Sequence, residues 1–279
     1  MFVLMIVAFG YFIGRRQFVV HEQTFYFEDL PEDFEGYRIL QFGDLHMGAF
    51  RYGRLDDIDT IVSLINRQKC DAVFFVGDMI CKNSKELDGY RRKLNKIQAP
   101  DGVYSVMGNH DYCTYSEFTS ESDRLLDVEE LQRKQHSYGW NLLLNGHAII
   151  HKGDSKIAVV GIENDGLSPF PSFGDLPKAA KGVKKSDFCI LLSHDPTSWR
   201  RKVVRKTSIQ LTLSGHTHGG QVKLFGWAPC SIRYPEWTGT YIEGGQILNI
   251  TDGVGCSLTV PFRFGAWPEI NVITLKRIK

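Results

Sequence analysis

Tyr37-Arg38-Ile39-Leu40-Gln41-Phe42-Gly43-Asp44-Leu45-His46 is a short apolar run that stops at a glycine and then offers a carboxylate and an imidazole. The run reads as a strand over Tyr37 to Phe42, and the polar pair as the loop that leaves it. The same pattern returns downstream. Asp71 to Val76 is a β-branched and aromatic run that ends at Gly77-Asp78, and Val103 to Met107 ends at Gly108-Asn109-His110-Asp111. Between the first two, Leu55, Ile58, Ile61, Val62 and Ile65 recur at helical spacing and predict an amphipathic helix over Leu55 to Gln68. Leu87, Tyr90, Leu94 and Ile97 predict a second helix, closed by Pro100-Asp101-Gly102. Strands alternating with helices point to an α/β fold.

Further along, a charged helix is expected over Ser122 to Gln135. Trp140 to Leu144, His147 to His151 and Lys156 to Ile162 read as strands of a second sheet or meander. The Pro- and Gly-containing stretch Asp165 to Gly182 reads as a surface loop. Phe188 to Leu192 and Ile209 to Leu213 are again short apolar strands, ending at Ser193-His194 and Ser214-Gly215-His216-Thr217-His218, and Ile270 to Leu275 suits a closing strand.

Five strand ends therefore carry Asp44 and His46, Asp78, Asn109 with His110 and Asp111, His194, and His216 with His218. In an open α/β sheet, groups beyond the carboxyl ends of strands converge even when they are distant in the chain. Alone, Asp-x-His or Gly-Asp is ordinary turn chemistry, Asn-His-Asp suits an Asx-turn, and His194 could be a satisfied core histidine. Five such groups, each following an apolar strand, argue for metal ligation instead. Carboxylate and amide oxygens mixed with imidazole nitrogens, without a thiolate, suit Mn, Fe or Zn better than Ca.

The totals set bounds. A chain of 279 residues, 43% hydrophobic and 23% charged, is an ordinary globular sequence able to bury one substantial core. A net charge of +1 argues against a stable nucleic-acid partner, which calls for a large basic excess. Six scattered cysteines without a CxxC pair are expected to be reduced and packed. Residues 1–16 stand apart: Met1 to Ile13 is almost continuously apolar and is followed by Arg15-Arg16. A full span needs about 20 apolar residues, and neither a preceding basic region nor a cleavage site marks a signal peptide. The run is expected to attach the chain to a membrane, as part of a longer span or lying in the interface, rather than to form a buried element of the domain. Arg15 and Arg16 would put the following domain, residues 35–279, on the cytoplasmic side.

The ordered series Asp-x-His, Gly-Asp, Gly-Asn-His-Asp, His and Gly-His-x-His resembles the calcineurin-like metallophosphoesterase superfamily from about Tyr37 to the end. Leu213 to Val222, Pro261 to Gly265 and Pro268-Glu269-Ile270 resemble a bacterial, membrane-associated branch of phosphodiesterases and phosphohydrolases. Where that branch has Ser-Arg-Gly, this chain has Thr251-Asp252-Gly253, a departure that bears on the substrate. The resemblance implies a two-sheet β-sandwich flanked by helices and two divalent ions, one on Asp44, His46 and His218, the other on Asn109, His194 and His216. Asp78 would bridge them. His110 would face the scissile phosphate, with Asp111 orienting its ring, and water would attack in line. Gln221 and Arg263 are candidates for contact with a phosphate or head group. The expected substrate is a phosphorylated small molecule or lipid-linked phosphate, cleaved at a diester, monoester or pyrophosphate bond. The alternative is a metal-binding scaffold without catalysis.

Overall fold

The computed structural model describes residues 2–51, 55–257 and 261–278. Met1 and Lys279, the outermost residues of the two expected segments, lie outside them. Two six-stranded mixed sheets face each other. The first has the order β1 (Val19–Phe27), β12 (Glu269–Arg277), β2 (Arg38–Phe42), β3 (Ala72–Phe75), β4 (Val103–Ser105) and β5 (Asn141–Leu142). The second has the order β10 (Gly239–Glu243), β11 (Gln246–Ile250), β9 (Leu211–Ser214), β8 (Phe188–Leu192), β7 (Ser155–Gly161) and β6 (Gly146–Lys152). Strands β2 to β5 run parallel, as do β7, β8, β9 and β11. Their carboxyl ends are where the predicted ligands begin.

Alternation along each strand builds the layers. On β2, Ile39 joins the apolar core between the sheets, while Leu40 and Phe42 face outward. Helices α2 (Leu55–Arg67) and α4 (Glu121–Ser137) cover that outer face through Ile58, Ile61, Ile65, Val128 and Leu131. On β8, Ile190 points inward, and Cys189 and Leu191 pack outward against Trp199 and Val203. Strands covered on both sides are apolar throughout, which is why β3 and β8 read so plainly. One polar pair crosses the inner core. Asn249 Nδ2 donates to Gln41 Oε1 at 2.7 Å, and Gln41 Nε2 donates to the Ser214 carbonyl at 2.9 Å, tying β2 to β11 and β9.

Several elements differ from the sequence expectation; Trp140 to Leu144, expected with the second sheet or meander, supplies β5, which pairs with β4 in the first. The helix expected around Leu87 to Ile97 is split into a 3-10 turn, Ser84–Leu87, and one helical turn, α3 (Arg91–Leu94). Gly89, at φ +85°, breaks it, although Leu87, Tyr90, Leu94 and Ile97 are all buried as the spacing requires. The loop after Asp165 contains a short helix, α5 (Leu176–Ala179), whose Lys178 N–H donates to the Asp175 carboxylate at 2.9 Å. Strand β1 and the hairpin β10–β11 are additional. The apolar N-terminus forms α1 (Phe2–Phe12), and among the described residues no helix is long and apolar enough to cross a membrane. None of the six cysteines is in a disulfide.

Candidate metal centre

Each ligand candidate sits two to four residues past the end of a strand, where the chain must turn sharply. Asp44, His46, Asp78, His216 and His218 do so in the left-handed region, with φ between 47° and 75°. Non-glycine residues rarely adopt it, at a cost of roughly 1–3 kcal/mol each. Five in one place mark a site whose geometry is held against local preference by the packed sheets below. Gly108 shows how tightly the loops meet: a Cβ there would lie 2.2 Å from Asp78 Oδ1.

The side chains converge as two trios linked by a third group. Asp44, His46 and His218 bring ligand atoms together, as do Asp78, His194 and His216, and His46, Asp78 and His110 meet across them. His218 Nε2 lies 3.3 Å from Asp44 Oδ1 and 3.1 Å from His46 Nε2. Asp78 Oδ2 stands between the trios, 3.5 Å from His46 Nε2 and 3.2 Å from His194 Nε2. His216 Nδ1 faces Asn109 Oδ1 at 2.8 Å. Donor atoms at these separations are what an ion ligated at about 2.0–2.2 Å requires. His194 supports the fit: its Nδ1–H donates to the Val76 carbonyl at 2.8 Å, leaving Nε2 buried without a hydrogen-bond partner. A carbonyl that accepts from the other ring nitrogen in this way fixes the tautomer of a ligating histidine.

Electrostatics reinforce the fit. Burial pushes the His46 imidazole down to about 3 and that of His216 down to about 4, and holds His218 well below its ordinary value. All three are neutral, with lone pairs available. Burial also pushes the Asp44 carboxyl up to about 7. For Asp78, burial acts to raise the value, but His194, His110 and His46 outweigh it and hold the carboxyl well below the ordinary range. His194 moves up to about 10 because Asp78 and Asp44 overcome the effect of its burial. A buried site with two carboxylates calls for compensating positive charge, which a divalent cation supplies.

The other predicted residues take different positions. His110 is half-buried beside the two trios; its ring lies 4.7 Å from that of His46. Its ring is oriented not by Asp111 but by the Cys81 carbonyl, 2.7 Å from Nδ1. The Asp111 carboxylate instead accepts the N–H groups of Asp78, Met79, Ile80 and Gly108 at 2.8–3.3 Å, clamping together the loops that carry Asp78 and Asn109. Arg263 is fully buried, and its guanidinium donates to the carbonyls of Gly255, Asp252 and Ala266. Gln221 is buried too, and both ends of its amide bond to Ser257. These two brace the loops behind His218 and are not exposed in the mouth of the site.

Three aromatic residues line the mouth that the sequence reading does not single out. The Tyr115 hydroxyl accepts from Asn109 Nδ2 at 2.9 Å, and its ring lies 4.2 Å from that of His110. The Tyr234 hydroxyl is 2.8 Å from His216 Nε2, and Phe170 packs edge-on against the His216 ring. All three lie on loops, where no periodicity marks them.

Comparison with known proteins agrees with this geometry. A family model described as calcineurin-like phosphoesterase matches residues 37–220. The metallophosphoesterase YkuE of Bacillus subtilis is 30% identical over 96% of this chain and 90% of its own length. A zebrafish protein named transmembrane protein with metallophosphoesterase domain is 31% identical over 90% of this chain, which spans 55% of it. Among solved structures, the sulfate thiohydrolase SoxB of Thermus thermophilus superposes with a TM-score of 0.51 at 17% identity, covering 81% of this chain and 53% of that one, a likeness of fold alone. With its two-sheet fold and clustered donors for divalent metal, the chain belongs to the calcineurin-like phosphoesterase family and is a metal-dependent phosphoric ester hydrolase.

Proposed function

We propose that this chain is a two-metal phosphohydrolase acting on a phosphodiester, phosphomonoester or pyrophosphate at a lipid surface. One ion would be held by Asp44, His46 and His218, the other by Asn109, His194 and His216, with Asp78 shared. The observation that carries this reading is the position of Asp78 Oδ2, within 3.5 Å of a histidine from each trio. When bound, two such ions polarise the phosphoryl oxygens and supply a nucleophile near neutral pH.

The chain's own groups do the rest. His110 keeps Nδ1 on the Cys81 carbonyl, so Nε2 is the end that can deliver a proton to the departing oxygen. Tyr115, whose ring lies against it at an angle of 31°, holds its orientation. Val76 and Tyr234 fix the rings of His194 and His216. The apolar helix α1 supports attachment to lipid, and with it a lipid-linked phosphate as substrate.

The test is metal analysis of purified full-length protein, followed by turnover of an aryl phosphodiester, an aryl phosphomonoester and a lipid-linked pyrophosphate with Mn, Fe or Zn. Two ions per chain and turnover of at least one substrate are expected. Two bound ions with no turnover of any substrate would favour the scaffold reading.

A further inference from the structure

Helix α1 has no water-facing side. From Phe2 to Phe12 its only polar side-chain atom is the Tyr11 hydroxyl, and a helix apolar all round is ordinarily buried on all sides. Here only one side is covered. A Cβ at Gly10 would lie 2.8 Å from the Arg263 carbonyl, and Phe9 packs edge-on against Phe264 and Trp267. On the rest of the helix Leu4 is 74% exposed and Phe12 65%.

The strip that α1 packs on, 263–267, also carries a second apolar projection. Lys223 N–H donates to the Phe264 carbonyl at 2.7 Å, and the next residues form a two-residue hairpin in which Leu224 and Trp227 exchange both backbone hydrogen bonds at 2.9 Å. At its tip Phe225 and Gly226 are left-handed, at φ 52° and 79°, the I′ pattern that favours Asn-Gly. A phenylalanine there is strained and fully exposed, so it adds nothing to the core. Leu224, Trp227 and Ile232 are exposed beside it. Of the basic residues nearby, Arg16 and Arg233 are exposed, with Arg16 3.4 Å from Asp57, while Arg15 is buried and Lys223 pairs with Asp252 at 3.0 Å. Apolar aromatics at a tip, an apolar helix sharing its support, and the exposed Arg16 and Arg233 match an anionic lipid surface.

We infer that the hairpin Leu224–Trp227 is a second lipid-inserting element that works with α1 to seat the chain on an anionic bilayer. It rests on the reading of α1 as lipid-attached. The segment is an excursion between His218 and Tyr234, both in the metal centre, so seating it brings the mouth of the centre to the lipid surface. A phosphate on a membrane lipid could then reach His110 without leaving the bilayer.

The experiment measures co-sedimentation of the full chain with vesicles of phosphatidylcholine alone and of phosphatidylcholine with phosphatidylglycerol. It compares the unaltered chain, Phe225→Asp/Trp227→Ser and Leu4→Asp/Met5→Asp, with oligomeric state followed by light scattering. The unaltered chain is expected to bind the phosphatidylglycerol vesicles more tightly, and each double variant to weaken that binding by about ten-fold or more. Turnover of a soluble aryl phosphodiester by the hairpin variant should be unchanged. Full vesicle binding by the hairpin variant, with loss confined to the α1 variant, overturns the inference and leaves the α1 reading standing. No vesicle binding by the unaltered chain sinks both. A hairpin variant that turns a dimer into a monomer while still binding vesicles would show that the tip meets a second copy of this chain, which also overturns it. Should the hairpin variant fail to fold, quenching of the unaltered protein by brominated lipid, compared with Trp227→Phe, decides the matter. Equal quenching of the two refutes insertion of the hairpin.

Discussion

Asp111→Asn removes one oxygen from a carboxylate that serves four backbone donors. Oδ2 accepts from Asp78 and Gly108, both at 2.9 Å, while Oδ1 accepts from Met79 at 2.8 Å and Ile80 at 3.3 Å. An asparagine keeps one acceptor oxygen and turns its NH2 toward two N–H groups. Two buried donors are then left without partners, at about 1–3 kcal/mol each, so the loss is roughly 2–6 kcal/mol. Against a net stability of roughly 5–15 kcal/mol this is large. The same clamp sets the loop that carries Asp78, so affinity for metal should fall as well. Urea unfolding of the metal-free and Mn-loaded protein measures both effects: the midpoint should drop in each, and the gap between them should shrink. An Asp111→Asn protein with an unaltered midpoint and two bound ions, but a displaced pH–rate profile, would refute the clamp. It would restore the expectation that Asp111 acts on the ring of His110.

Four further outcomes are expected. His110→Gln should keep both ions by metal analysis and lose about 10²–10⁴-fold in kcat; unchanged turnover would remove His110 from the reaction. Asp78→Ala should abolish binding of both ions, and full occupancy of either would show that it is not shared. Gly108→Ala, whose Cβ would fall 2.2 Å from Asp78 Oδ1, should cost roughly 3 kcal/mol in urea unfolding and weaken metal binding. Arg263→Lys loses the fork that holds the carbonyls of Gly255, Asp252 and Ala266, and should lower stability by roughly 2–4 kcal/mol. A rise in KM alone, at unchanged stability, would instead make Arg263 a substrate contact.

The elements legible in the sequence are those whose burial leaves a pattern. Strands β3 and β8 are apolar at every position because both faces are covered. The ligand candidates were legible because each follows such a strand. Strand β1, with the sequence Val-Val-His-Glu-Gln-Thr-Phe-Tyr-Phe, lies at a sheet edge with part of one side in water, so its run was broken by polar residues. The hairpin β10–β11 did carry a signal, Gly244-Gly245, both at positive φ, but weak alternation on either side concealed it. In the site, residue type and position pointed to Asp111, Gln221 and Arg263, yet their partners are main-chain groups or a neighbouring serine brought in by folding. Sequence spacing says nothing about such partners. Tyr115, Phe170 and Tyr234 reach the centre from irregular loops, so no period could reveal them.

The amide pair Gln41–Asn249 has a mechanical meaning. Asp44, His46, Asp78 and Asn109 hang from one sheet, and His194, His216 and His218 from the other, so each trio straddles the gap between them. A slip of one sheet over the other by a single ångström would spread both trios at once. The bonds from Gln41 to Asn249 and Ser214 act as a dowel driven through the joint, setting the two halves in alignment before any cation arrives. An apolar pair of equal volume could fill that space as well, but it would slide.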